Sequence, residues 1–158
     1  MRDPRSGLKG ATRDDLVLNV DLAPTFLDLA GAPVPPEMQG KSWRPLLSAD
    51  PPKVPFRESF FYEYFRENSG NDTSKNVGGY NTPTMTGVRT ATHKLLKYRG
   101  RPEWSELFDL AADPYETKNL YADPAHEAVR KRLEAEHERL SNQLGYAVPA
   151  RVPAEPAR

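Results

Sequence analysis

Residues 80–119 read YNTPTMTGVRTATHKLLKYRGRPEWSELFDLAADPYETKN, and this stretch decides the fold. Three runs within it are rich in β-formers, at 85–90, 94–98 and 106–110, while the intervening 91–93 and 99–104 are short enough to be hairpin connections. The pattern predicts an antiparallel meander. Its apolar side chains Val88, Leu95, Leu96, Leu107, Phe108 and Leu110 need a cover on one side, because a sheet this small is marginal in water by itself.

The cover follows downstream. Asp123 and Pro124 supply a cap and a first-turn proline for a helix running to about Leu144, with Gly145 as the stop. Val129, Leu133, Leu140 and Leu144 form its apolar stripe. Glu127 with Lys131, Arg130 with Glu134 and Arg132 with Glu136 place opposite charges four apart on the wet side. Upstream, the aromatic run ESFFYEYF at 58–65 is predicted to add a fourth strand. Between it and the meander, residues 66–82 are rich in Asn, Gly and Ser and exceed the usual connection length, so they are either functional or disordered.

Further toward the N-terminus, Leu16, Val17, Leu18 and Val20 form a run of strand length. Asp21 is placed to cap a short helix over 22–30 that stops at Gly31, and Leu22, Phe26 and Leu29 share one face of it. That strand and helix want a partner surface. Ser42 can cap a single turn through Trp43 to Leu47. Residues 1–14 read as a disordered or severed segment, 15–50 as strand, helix and linker, 51–145 as the sheet-and-helix subdomain, and 146–158, with alternating Pro and Ala, as a flexible tail.

Composition narrows the function classes. The 158 residues fit one domain, and 37% hydrophobic content supports one modest core but not a large α/β sheet. With 22 basic and 22 acidic side chains the net charge is zero, which removes the electrostatic case for nucleic acid or an anionic membrane as main partner. The absence of cysteine excludes disulfides, thiolate metal sites and a cysteine nucleophile. No run is long enough for a signal peptide h-region or a membrane span, so compartment stays open.

GVRTATHKLLKY followed by ELFDLAADPYETKNLY resembles the C-terminal subdomain of sulfatases. There a Gly-(Val/Ile)-Arg-Thr strand, a (Tyr/His)-Lys-Leu strand and a Glu-Leu-(Phe/Tyr)-Asp-Leu segment ending in Asn-Leu recur in that order. NVDLAPTFLDLAG at 19–31 and MQGKSWRPLL at 38–47 match the segment that precedes them in the same enzymes. The likeness spans about residues 15–144 and is nearest to the heparan N-sulfatase, choline-sulfatase and mucin-desulfating branch. It implies an α+β subdomain: a four-stranded antiparallel sheet packed on a long C-terminal helix, preceded by a strand-helix remnant of the main α/β domain.

The resemblance also implies what is missing. These enzymes, members of the alkaline-phosphatase-like superfamily, use a formylglycine made from the first residue of Cys/Ser-x-Pro-x-Arg, and a calcium held by paired aspartates and an Asp-Asn pair. No such segment occurs in this chain, and Asp14-Asp15 lacks the strand-to-loop context of ligating aspartates. Calcium and formylglycine are therefore expected only in a full-length relative. The chain reads as the C-terminal portion of a sulfuric ester or sulfamate hydrolase, completing the fold and the substrate cleft without being catalytic alone. A sulfated carbohydrate or other sulfate ester is the expected substrate of the joined enzyme, with self-association or pairing with an upstream-encoded catalytic chain as possible assemblies. The alternatives are a detached non-catalytic carbohydrate-binding or interaction module and a fragment of a sibling phosphoryl-transfer enzyme.

Four residues are candidates for substrate binding: His93, Arg89, Lys75 and Tyr80. His93 lies in a turn, where it can reach an anion or simply be solvated. Arg89, mid-strand, can fork onto a sulfate or carboxylate, or make a structural ion pair with Asp109 or Glu116. Lys75 and Tyr80 lie in the polar insertion, which the resemblance directs toward the substrate cleft. Tyr62, Tyr64, Tyr80 and Trp104 can line a sugar-stacking surface or be cross-strand pairs. Asp109, Asp113 and Glu116 suggest calcium at first sight, but Asp113 before Pro114 is ordinary turn chemistry. His126 and His137 sit three helical turns apart, ~16 Å, and cannot share a metal.

Overall fold

The computed structural model describes residues 10–64 and 84–147. Two compact units divide the chain, Met1–Ser59 and Phe60–Arg158.

In the first unit a 3-10 turn, Asn19–Asp21, runs directly into helix α1, Leu22–Ala30, which ends at Gly31. The strand expected over 16–20 does not form. Its backbone groups close on themselves: the Leu18 amide donates to Asp21 Oδ2 at 2.7 Å and the Asp21 amide to the Leu18 carbonyl at 3.1 Å. A strand needs those groups for a neighbour. Nor does Asp21 cap α1 with its side chain. Its carboxylate is fully buried and receives both arms of Arg57, Nη1 to Oδ2 and Nη2 to Oδ1, each at 2.8 Å. It also accepts from the Lys41 amide at 2.9 Å. Burial pushes the Asp21 pKa up, but the Arg57 fork and the Lys41 and Leu18 amides outweigh it and hold the carboxyl below its ordinary value.

Other polar groups extend this knot. Thr25 Oγ1 donates to the Asp21 carbonyl at 2.6 Å and accepts from the Trp43 amide at 3.0 Å. Gly40 lets the returning chain close: a Cβ there would lie 2.1 Å from the Val20 carbonyl oxygen. Ser42 Oγ accepts from the Arg44 amide at the start of the 3-10 turn Arg44–Leu47 and donates to Asp28, which also pairs with Arg44. The Phe56 amide reaches Asp15 at 3.1 Å, and Arg57 reaches Asp21, so the first unit continues past the proline cluster at 51–55 that the sequence suggests as its end.

The second unit is the predicted sheet under a helix. Strands β1 (Ser59–Tyr64), β2 (Met85–Thr90), β3 (His93–Tyr98) and β4 (Arg101–Asp109) lie side by side in chain order, with β2–β3 and β3–β4 antiparallel. The last strand starts earlier than expected, because Arg99 and Gly100 alone make the turn and Gly100 takes φ +70°. Three of the four residues after Arg101 are absorbed by a bulge in β4, where Pro102 has no amide to give the ladder and Ser105 Oγ donates to its carbonyl at 2.7 Å.

Alternation sorts the side chains. Val88, Leu95 and Leu107 lie opposite one another on one face and, with Leu120 and Leu133, form the core; Tyr121, Val129 and Leu140 pack against it. Leu96 and Phe108, which the sequence grouped with them, belong to the other face. The cover is a 3-10 turn, Pro124–His126, continuing into helix α2, Glu127–Gln143, with Asp123 accepting from the Ala125 amide at 2.9 Å. On α2 Glu127 pairs with Lys131 at 2.8 Å, as spaced. Arg130 instead donates to the Tyr121 carbonyl, Glu134 accepts from the Tyr121 hydroxyl, and Glu136 takes the fork of Arg139. The outer edge of β4 is closed by Asn119 and Leu120, which bond the Leu107 amide and carbonyl.

Candidate functional site

The sheet face away from α2 carries the side chains of greatest chemical interest. Phe60 and Tyr62 of β1, Met85, Gly87, Val88 and Arg89 of β2, and Lys94 and Leu96 of β3 enclose a concavity of about 240 Å³. Its floor depends on Gly87: a Cβ there would sit 2.6 Å from the Leu95 backbone oxygen and 2.7 Å from Leu96 Cδ2, so glycine permits this close approach of β3 and Leu96. Arg89 and Lys94 stand directly opposite each other across the ladder. Like charges so placed repel, and the molecule neutralises one of them: Lys94 Nζ pairs with Glu116, and its ammonium also lies 5.7 Å from the centre of the Phe108 ring. Glu116 reaches it from a backbone at φ +57°. The Arg89 guanidinium is exposed and has no hydrogen-bond or ion-pair partner among the described residues.

The ion pair that the sequence suggested for Arg89 is thus made by Lys94, and the alternative partner, Asp109, accepts from the amides of Ala111 and Ala112 at 3.0 and 3.1 Å. Beside the concavity the same face continues into an aromatic patch. Tyr98 and Trp104 meet edge to face at 6.1 Å, Arg101 lies 5.1 Å over Trp104, and the Tyr98 hydroxyl donates to Glu106 at 2.6 Å. Burial, reinforced by that carboxylate, pushes the Tyr98 phenol well above its ordinary pKa.

His93 is not part of this surface. It shares the register parity of Leu95, on the α2 face, with Asp109 as its cross-strand partner and its Nδ1 2.8 Å from Thr92 Oγ1. Arg89 and His93 therefore project to opposite sides of the sheet. Lys75 and Tyr80 lie outside the described residues. Of the stacking candidates, Tyr62 lines the concavity, Tyr64 follows it on the same side of β1, and Trp104 sits in the adjoining patch. His126 Nδ1 lies 3.3 Å from Asp123, whereas His137 is wedged between α2 and the sheet, 2.9 Å from Thr86 Oγ1 and in ring contact with Phe61. Burial, and secondarily Lys97, depress the His137 pKa.

Calcium, which the sulfatase resemblance implies for a full-length relative, does not fit the acidic group Asp109, Asp113 and Glu116. Asp113 is occupied by the amides of Thr117 and Lys118, Asp109 by those of Ala111 and Ala112, and Glu116 by Lys94. Among the described residues no three His, Cys, Asp or Glu are grouped to hold a metal. No described helix is long and apolar enough to cross a membrane.

Comparison with known proteins gives a consistent picture. The family model described as N-sulphoglucosamine sulphohydrolase, C-terminal, matches residues 1–143. An N-acetylglucosamine-6-O-sulfatase of Bacteroides thetaiotaomicron is 32% identical over 136 residues, covering 84% of this chain and 22% of that protein. A solved structure described as in complex with its substrate D-glucosamine-2-N,6-O-disulfate superposes with TM-score 0.67 at 30% identity, over 80% of this chain and 24% of the other. A phosphonate monoester hydrolase of Agrobacterium radiobacter superposes with TM-score 0.60 at 29% identity, over 78% and 24%. The chain thus spans about a quarter of the length of the proteins it matches.

Proposed function

Because this chain belongs to the family of C-terminal domains of N-sulphoglucosamine sulphohydrolase and related sulfatases, we propose that it is the C-terminal portion of an enzyme that hydrolyses sulfate esters or sulfamates on carbohydrates. Its part in that enzyme is to complete the fold and one wall of the substrate cleft. The carrying observation is the family match over residues 1–143, set beside a sequence with no cysteine and no Ser-x-Pro-x-Arg segment and a described acidic group, Asp109, Asp113 and Glu116, that is committed to backbone amides and Lys94. Sulfate transfer needs a nucleophile and a charge-stabilising cation together, and in this reading both come from elsewhere in the enzyme.

The first unit supports the same role. Val17, Val20, Leu22 and Phe26 remain exposed, Phe26 at 56%, so its apolar face is fitted to a further surface. That surface is the catalytic part of the sulfatase. Arg89 is the anion contact that this domain offers the substrate; His93, on the other side of the sheet, is not needed for it.

The test is a chimera in which this chain replaces the matching segment of the Bacteroides thetaiotaomicron N-acetylglucosamine-6-O-sulfatase. Sulfate release from a sulfated glucosamine, at a rate within about a hundredfold of the parent, is expected. A folded chimera that binds calcium and releases no sulfate would overturn the proposal. A second reading, a detached carbohydrate-binding module, is favoured by the open concavity beside Arg89, and it predicts sugar binding by the chain without any gain of activity in the chimera.

A further inference from the structure

The concavity over β1, β2 and β3 combines three properties. It has an exposed guanidinium without a partner among the described residues, a lining of Phe60, Tyr62, Met85 and Leu96, and a volume of about 240 Å³. Ligand pockets commonly run from ~300 to ~1,000 Å³, so this one has room for a single ring and its substituent, not for an oligomer. We infer that it is a subsite for one anionic pyranose, whose carbon-bound face lies on Tyr62, Phe60 and Leu96 while a sulfate or carboxylate substituent takes the fork of Arg89.

The electrostatics favour this occupant over a neutral one. Two cations face each other on adjacent strands and, among the described residues, one carboxylate reaches them, Glu116, which goes to Lys94. Among the described residues one positive charge is thus left without a partner beside an apolar lining, where it can pair with an anionic group. A planar guanidinium also fixes the orientation of a sulfate or carboxylate through two parallel hydrogen bonds. The apolar lining argues against a bare anion. A free sulfate gains nothing from Tyr62 or Leu96, whereas the carbon-bound hydrogens of a sugar face bury against them. The anion held here is read as a recognition group, since the described lining of the concavity holds no Ser, Thr or Cys nucleophile.

The inference rests on the sulfatase reading for its ligand class, but its test does not depend on turnover. The full chain is titrated with glucosamine 6-sulfate, with glucosamine, and with inorganic sulfate at matched ionic strength, followed by amide NMR shifts. Saturable shifts centred on Gly87, Val88 and Leu96 are expected with the sulfated sugar at millimolar concentration, with at least tenfold weaker binding of both glucosamine and inorganic sulfate. Arg89→Gln should weaken binding at least tenfold and Arg89→Lys by less, while Tyr62→Ala should weaken it several-fold. Both side chains are exposed enough to be replaced without unfolding, which the unchanged remainder of the spectrum verifies.

Absence of saturable shifts, equal affinity for inorganic sulfate, equal affinity for glucosamine, or an unaffected Arg89→Gln variant would each overturn the subsite. Failure of the titration beside an active chimera would sink the subsite alone, and an inactive folded chimera would sink the sulfatase reading alone. In an active chimera, Arg89→Gln is expected to raise KM at least tenfold with kcat little changed, as removal of uniform binding does.

Discussion

The two units of this chain are held together in opposite ways. In Phe60–Arg158 the inside is apolar: Val88, Leu95, Leu107, Leu120 and Leu133 are buried against one another. In Met1–Ser59 the most deeply buried side chains are Asp21, Pro24 and Thr25, Leu46 is buried as well, and the large apolar residues Val17, Val20, Leu22 and Phe26 are exposed. The first unit is organised by directional bonds around Asp21 as well as by the burial of Pro24 and Leu46, and it leaves several large apolar side chains exposed. The contrast separates a part that buries its own apolar core from a part that, in the proposed reading, is covered by the catalytic part of the enzyme.

The strongest way to break the contrast is at Asp21. Replacing it with Ala leaves the Arg57 guanidinium buried and the Leu18 and Lys41 amides without their acceptor. Loss of one partner of a buried pair costs about 3–5 kcal/mol. Amide exchange should rise at Leu18, Lys41 and Trp43 while Leu95 and Leu107 stay protected. The counterpart in the second unit is Leu133→Ala, a core truncation of about 2–5 kcal/mol, which should deprotect Leu95 and Leu107 and leave Lys41 unchanged. A cost below about 0.5 kcal/mol for Leu133→Ala, within the ordinary range of a surface change, would refute the packing of α2 on the sheet.

A smaller effect is expected from pH. His137 has its pKa lowered by burial and by Lys97 from its ordinary value of 6.5. The unfolded chain therefore binds the proton more readily than the folded one, so this group's contribution is fully present above pH 6.5 and is lost as pH falls from there through the depressed folded pKa. The denaturation midpoint of the second unit should decline from pH 7.5 to 5.5, and His137→Gln should flatten that slope. The smallest effect on stability is expected at Phe26, exposed at 56%. Phe26→Ser should change stability by less than about 0.5 kcal/mol and yet reduce hydrophobic-dye binding and self-association. A strictly monomeric chain that binds no dye would remove the idea of a face awaiting its cover.

The sequence and structure agree where one periodicity governs one element. Helix α2 has a single apolar stripe, an Asp-Pro start and a glycine stop, and Leu133 lands in the core as its spacing requires. Strands β1, β2 and β3 are β-rich runs between turn residues, and the meander follows. The failures have a common cause. Leu16–Val20 has strand composition, but strand formation needs a neighbour, and composition cannot reveal that Asp21 will turn its carboxylate back onto the Leu18 amide. Arg57, thirty-six residues away, gives no local sign that it will fork onto Asp21.

The candidate site was legible in part for the same reason. Arg89 was visible as a mid-strand cation and Tyr62 as an alternating aromatic, but their convergence with Lys94 and Leu96 depends on register. The β2–β3 register pairs Arg89 with Lys94, and Glu116 goes to Lys94, which leaves Arg89 without a partner among the described residues. The parity that puts Leu95 in the core also sends His93 to the far side. Period-two alternation was the signal that separates Arg89 from His93, and it was available in the sequence once the strand limits were known.

The most direct test of the central claim, that this chain contributes scaffold and recognition while cleavage groups come from elsewhere, is a turnover assay. Purified chain is incubated with calcium and a chromogenic aryl sulfate, since binding without transition-state stabilisation does not accelerate the reaction. The account predicts no release above buffer. Turnover that survives repurification and disappears in His93→Ala would place a catalytic site in this chain and contradict it.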